Sequence, residues 1–280
     1  GGSGPVATVD RIDFSNDSVS ASPRGPLSSA RGYSAATSGQ AKGPAIKLQK
    51  AGNYGWFGGG YNVNGQSSYV DRIDFSNDSA TISPRGLLSL ARRKFAATGN
   101  SNYGWFGGGS TPTETATVDR IDFSNDSPST SASPRSPLSS ARFGLAATGN
   151  SNYGWFGGGR GGSPIAPVST VDRIDFSNDS STASPRSPLS AARYLLAATG
   201  NSNYGWFGGG AFPSVATVDR IDFSNDNTTI SIRGPLSVAR YELAATGNSN
   251  YGWFGGGSGP VATVDRIDFS NDSVSASPRG

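Results

Sequence analysis

The sequence predicts an all-β fold, a five-bladed β-propeller of four-stranded antiparallel blades, on three observations. First, the phrase NYGWFGGG is written five times, so that Trp56, Trp105, Trp155, Trp206 and Trp253 follow one another at spacings of 49, 50, 51 and 47 residues. A unit of about 50 residues suits a four-stranded propeller blade and is too long for a leucine-rich or ankyrin repeat. Second, no apolar i, i+3, i+4 stripe survives the glycines and prolines, so helices are not expected. Third, residues 1–25 are identical to residues 256–280, even at the loop SGPVA, where the other units differ. That identity reads as one segment written twice, one copy closing the ring of a single domain over 1–280. The alternative is a six-bladed ring with an incomplete blade, because the chain writes its first hairpin five times and its second six times.

Each element of a unit follows from its residues, taken here from Ala146. AAT and YGWFGGG flank GNSN, whose Gly and Asn tolerate positive φ and close a hairpin between the first two strands. TVDRIDF is β-branched and aromatic and makes the third strand. It places Val171, Arg173 and Asp175 on one face and Asp172, Ile174 and Phe176 on the other. SNDS supplies turn residues, and STAS is expected as a short fourth strand before the PRSPLS crossover.

Composition excludes several chemistries. The 280 residues contain no Cys, Met or His, which removes disulfides, thiolate and imidazole ligands and the usual near-neutral general base. Net charge is +3, but three of the four lysines, Lys42, Lys47 and Lys50, fall in one insertion. A nucleic-acid partner would call for a broad basic stripe, so none is expected. Membrane insertion is not expected either, since no apolar run approaches the roughly 18 residues of a spanning helix.

The repeated motifs read as structural. Five identical YGWFGGG segments suit blade-to-blade packing better than five sugar platforms, because every blade needs the same core. DRIDFSND is rich in Asp but lacks the calcium-loop order with its distal Glu. With three Asp and about three Arg per unit, ion pairs and turn caps are the expectation, with no metal and no cofactor. Glycine runs such as GGGRGGS lack the Lys-Ser/Thr and the helix of a phosphate cradle. Catalysis breaks repeat symmetry, whereas the only unrepeated acids are Glu114 and Glu242. No enzyme and no catalytic residue is expected.

The doubled glycine ending a strand in WFGGG, the following VDRID strand and the Arg of SAR resemble the kelch family of β-propellers. The Trp lies before the glycines, and the usual later Trp is missing. The wording of the repeats also resembles repeat proteins of tailed phages of marine bacteria. These resemblances imply a propeller fold and a binding or structural role, in the phage case a virion appendage component or adhesin, virion-borne or extracellular.

Where the units differ marks the candidate site. One variable set is the loops between the second and third strands, 61–69, 110–116, 160–169, 211–216 and 258–262. The other follows each AR at the entry to a first strand. In an antiparallel four-stranded blade both sets emerge at the same end, so they share a face. Its candidate residues are Tyr61, Asn62, Asn64, Arg93, Lys94, Phe143, Arg160, Tyr194, Phe212 and Tyr241. The insertion holding Lys42, Lys47 and Lys50 is expected on the opposite face as a candidate docking loop. The function expected is a non-catalytic binding or structural propeller whose partner is a surface glycan or another structural protein. The rival readings are an engineered or consensus-like scaffold with no evolved ligand and a kelch-type protein-interaction adaptor.

Overall fold

A computed structural model describes residues 5–38, 53–80, 82–228, 230–258 and 262–279. Lys42, Lys47 and Lys50 lie outside them. The described residues form an all-β propeller built from repeated antiparallel sheets, five of them four-stranded. In the third, Ala146–Gly149, Tyr153–Gly157, Val171–Asp175 and Ser184–Arg186 lie side by side in chain order. The other four sheets repeat this order, beginning at Ala35, Ala96, Ala197 and Ala244. The first strands of successive sheets neighbour one another around the centre. No helix among the described residues is long and apolar enough to cross a membrane.

One element differs from expectation. The outermost strand is Ser184–Arg186 (SPR), not the preceding STAS, with Pro185 opposite Asp172. Proline lacks an N–H to donate, and an edge strand leaves that side unpaired, so Pro is at home there. The shift also puts Arg186 beside the next sheet, where its guanidinium meets Asp226 at 3.4 Å.

The duplicated ends occupy different places. Residues 256–280 supply the third and fourth strands of the last four-stranded sheet, Val264–Asp268 and Ser277–Arg279. In the N-terminal copy, Val9–Arg11 and Ser22–Arg24 form a separate two-stranded sheet. It stands between the last and the first four-stranded sheets: Asp17 accepts the indole N–H of Trp253 at 2.7 Å, while Arg11 reaches Asp78 at 3.0 Å. The N-terminal copy thus contacts the sheets on both of its sides.

The core lies between sheets rather than within one. Trp155 is fully buried, stacks on Phe223 of the next sheet at 4.0 Å and donates its indole N–H to Asp226 at 2.8 Å. Trp56, Trp105 and Trp206 repeat this with Phe123, Phe176 and Phe269. The first glycine of the GGG makes the approach feasible in the first four sheets: a Cβ on Gly157 would stand 2.7 Å from the Phe207 ring of the next sheet. The following pair, Gly158 and Gly159, holds φ of 67° and 112°, a turn that L side chains resist.

In the unit that begins at Ala146 the three aspartates have three separate partners. Asp172 is fully buried and pairs with Arg142 at 2.8 Å, and the same Arg donates to the carbonyls of Phe156 and Gly158. Asp175 caps the next turn, accepting from the Ser177 amide and hydroxyl at 2.9 and 2.7 Å. Asp179 clasps the preceding sheet through Trp105, Arg120 and Arg135. The Asp-rich motif is therefore occupied by arginine, serine and indole groups.

The Ser177 hydroxyl is the main reason that the Asp175 carboxyl titrates below its ordinary value, with the Ser177 amide adding to it against burial. A carboxyl with a lowered folded pKa stabilises the fold fully above its unfolded pKa, and that contribution is lost as pH falls through the folded pKa. Ser177→Ala is expected to move the Asp175 pKa up toward that of a free aspartate. NMR titration of the side-chain carboxyl checks this; an unmoved midpoint would show that the hydroxyl does not set it.

Candidate ligand-binding face

The two variable sets lie together. Arg142–Phe143 pairs with Arg160–Gly161, and isolated bridges join Gly32 to Tyr61, Arg93 to Ser110 and Tyr194 to Ala211. The loop after each second strand is thus tied to the connection entering the same sheet.

Those connections converge on the axis. The second residue after each entry arginine is Tyr33, Lys94, Gly144, Leu195 or Glu242, and all five are left-handed, with φ between 55° and 66°. For a side chain other than glycine this conformation costs about 1–2 kcal/mol. A staircase of amides sustains it: Lys94 donates to the Tyr33 carbonyl at 3.1 Å, Gly144 to Lys94 at 2.6 Å, Leu195 to Gly144 at 2.6 Å and Glu242 to Leu195 at 2.8 Å. The backbone is the same at each step while the side chain is different at each step. Together with Ser34, Phe95 and Leu145 these residues line a cavity of about 180 Å³ at the mouth of the central channel.

The mouth is electrostatically uneven. The Lys94 ammonium sits 4.5 Å from the Tyr33 ring centre and 6.0 Å from that of Phe143, within cation–π range. Burial lowers the Lys94 pKa, which Glu242 opposes and Arg93 reinforces. Burial also raises the Tyr33 hydroxyl pKa; Glu242 adds to this and Arg93 counters it. One cation, one anion and one phenol therefore share a partly dry opening, a setting in which polar contacts are stronger than in water.

Six of the sequence-predicted residues join this mouth or its rim. Arg93 lies over the Tyr61 ring at 5.0 Å and Arg160 over the Tyr194 ring at 5.6 Å, while Phe143 meets Tyr194 edge-on at 6.4 Å. Lys94, Phe143, Tyr194 and Arg160 thus form one run of contacts with a cation at each end, and Arg93 with Tyr61 a separate pair. The other four stand apart from it. Asn62 accepts the Asn64 amide at 2.9 Å in a turn, Phe212 is 68% exposed on its loop, and the Tyr241 carbonyl accepts from Ser258 at 2.7 Å. Tyr33 and Glu242 fall in the second variable set of that face but were not singled out as candidates, although the isolation of Glu242 among repeated aspartates was an available signal.

No protein-family model matches the chain, and no curated protein is significantly similar to it.

Proposed function

We propose that this chain is a non-catalytic binding propeller whose variable face, centred on the channel mouth, recognises a polar surface ligand of the glycan class. The observation that carries this reading is the break in symmetry. Five sheets share one core, yet at one backbone position they present Tyr33, Lys94, Gly144, Leu195 and Glu242. Strained backbone that gathers around an opening is a common mark of a functional site. Aromatic faces beside paired charges suit a ligand with both C–H faces and hydroxyls.

The resemblances to kelch propellers and to tailed-phage repeat proteins give this reading its setting, a virion appendage component or adhesin that contacts a host-surface glycan. A kelch-type adaptor would use the same face for a protein. The rival of a different class is an engineered or consensus-like scaffold without a ligand, which the five identical WFGGG phrases and the identical ends favour.

A glycan array that includes bacterial surface polysaccharides, probed with the protein and with Lys94→Ala and Tyr194→Ala, tests it. Binding is expected, weakened at least about ten-fold in each variant, with both variants still folded by circular dichroism. Absence of binding by the parent protein would favour the ligand-free scaffold.

A further inference from the structure

The cations of the molecule fall into two groups. Among the described residues every arginine has an aspartate carboxylate within 4.0 Å except Arg93 and Arg160. Lys94, the one lysine among the described residues, has none either. All three belong to the variable face. Arg93 and Lys94 lie at the entry to the second four-stranded sheet, where Arg93 bridges to Ser110, and Arg160 pairs with Phe143 at the entry to the third. The repeated arginines are thus neutralised inside the fold, and the cations outside the repeat are not.

These three side chains are partly buried, and the Nε of Arg93 and of Arg160 is buried with no hydrogen-bond partner. Withdrawing a cation from water without an anion beside it is costly. Aromatic rings offset part of that cost: Tyr61 lies 5.0 Å from the Arg93 guanidinium, Tyr194 5.6 Å from that of Arg160, and Tyr33 4.5 Å from the Lys94 ammonium. A ring covers only the flat face of a guanidinium. The N–H groups in its plane stay available, and they match the paired oxygens of an oxyanion. The acids of this face do not use them, since neither Glu242 nor Glu114, in the loop beside Arg93, stands within ion-pair distance of any of the three cations.

An anion alone would leave the rest of the surface unexplained. Between Lys94 and Arg160 stand Phe143 and Tyr194, which meet edge-on at 6.4 Å. Because the cations are carried by two neighbouring sheets, a ligand that meets all of them needs negative groups spaced along a chain, with apolar faces between them. We propose that the variable face binds an acidic polysaccharide, its oxyanions on Arg93, Lys94 and Arg160 and the C–H faces of its sugars on Phe143 and Tyr194. This narrows the glycan reading given above and rests on it. Carboxylate and sulfate sugars share this chemistry, and the experiment tells them apart.

Affinity is measured for polygalacturonate and for dextran sulfate, beside carboxyl-reduced polygalacturonate, plain dextran and polyglutamate, which carries charge without a sugar ring. At least one acidic polymer is expected to bind, with its neutral counterpart at least about ten-fold weaker; the polymer that binds identifies the oxyanion. Arg93→Gln, Lys94→Gln and Arg160→Gln should each weaken binding at least about five-fold. Arg120→Gln removes the same charge from an ion pair with Asp179 and should change binding less than about two-fold. Since the three cations hold no internal ion pair, their replacement should move Tm by less than about 3 °C, so that lost binding is not lost folding. Equal affinity for polyglutamate would reduce the face to a patch of charge and overturn the proposal. Equal binding of an acidic polymer and its neutral counterpart would also overturn it, while leaving the broader glycan reading intact. Binding of neither acidic polymer overturns it as well: a neutral ligand on the glycan array would then keep the broader reading, and an empty array would remove both.

Discussion

Asp172→Ala is expected to destabilise the protein by about 3–5 kcal/mol, because it leaves the Arg142 guanidinium buried without its counter-ion. Both side chains are fully buried and meet at 2.8 Å. Arg142 is also fixed by the carbonyls of Phe156 and Gly158, and Asp172 accepts the Ser139 amide at 3.1 Å. An apolar replacement of both partners, Arg142→Met with Asp172→Leu, is therefore not expected to restore stability. Two carbonyls and one amide would lose the groups that satisfy them. The molecule carries its own control: Asp10 has the same place in the repeat but is exposed, and has no arginine partner among the described residues. Asp10→Ala should change stability by less than about 0.5 kcal/mol. Urea denaturation of the three variants checks this, and equal losses for Asp10 and Asp172 would show that the ion pair is not what matters at this position.

That contrast also shows where the sequence could be read and where it could not. The strands carrying AAT, YGWFG and VDRID were legible because β-branched and aromatic residues alternate between turns of Asn, Gly, Ser and Asp, a local signal written five times for the first two and six for the third. The fourth strand was misplaced because SPR looks like a break until it is known to be an edge, where proline is harmless. Asp172 and Arg142 could be expected to pair, since each unit is locally neutral. Which of three aspartates would be buried was hidden, because that depends on contacts 30 residues apart. The face was legible from differences between units and antiparallel connectivity alone. Its centre was not: left-handed backbone at Tyr33, Lys94, Leu195 and Glu242 leaves no glycine to mark it. It is imposed by the ring, through backbone hydrogen bonds to neighbouring units some 50 residues away. Asp10 and Asp172 stand in identical phrases, so no local reading could separate their environments.

Trp155→Ala should also cost about 3–5 kcal/mol, through the cavity it opens between two sheets and the loss of its stack on Phe223. The indole does two jobs, and Trp155→Phe separates them. Phe keeps most of the apolar contact but cannot donate to Asp226, so its expected cost is about 1–3 kcal/mol. Arg173 and Arg186 would still neutralise Asp226, at 3.1 and 3.4 Å. That residual pairing keeps the Phe variant folded. Because the fully buried tryptophans lie at sheet-to-sheet contacts, the loss falls on the coupling between neighbours rather than on either sheet alone. In a repeat architecture that coupling is what makes unfolding cooperative. The Ala variant is therefore expected to broaden the thermal transition or split it in two, whereas Asp172→Ala, acting within one sheet and its entry connection, should lower the midpoint with a smaller change in width. Scanning calorimetry of the two variants distinguishes them. A sharp single transition for Trp155→Ala with unchanged width would mean that the ring melts as one unit, its cooperativity set by the whole circle rather than by each tryptophan contact.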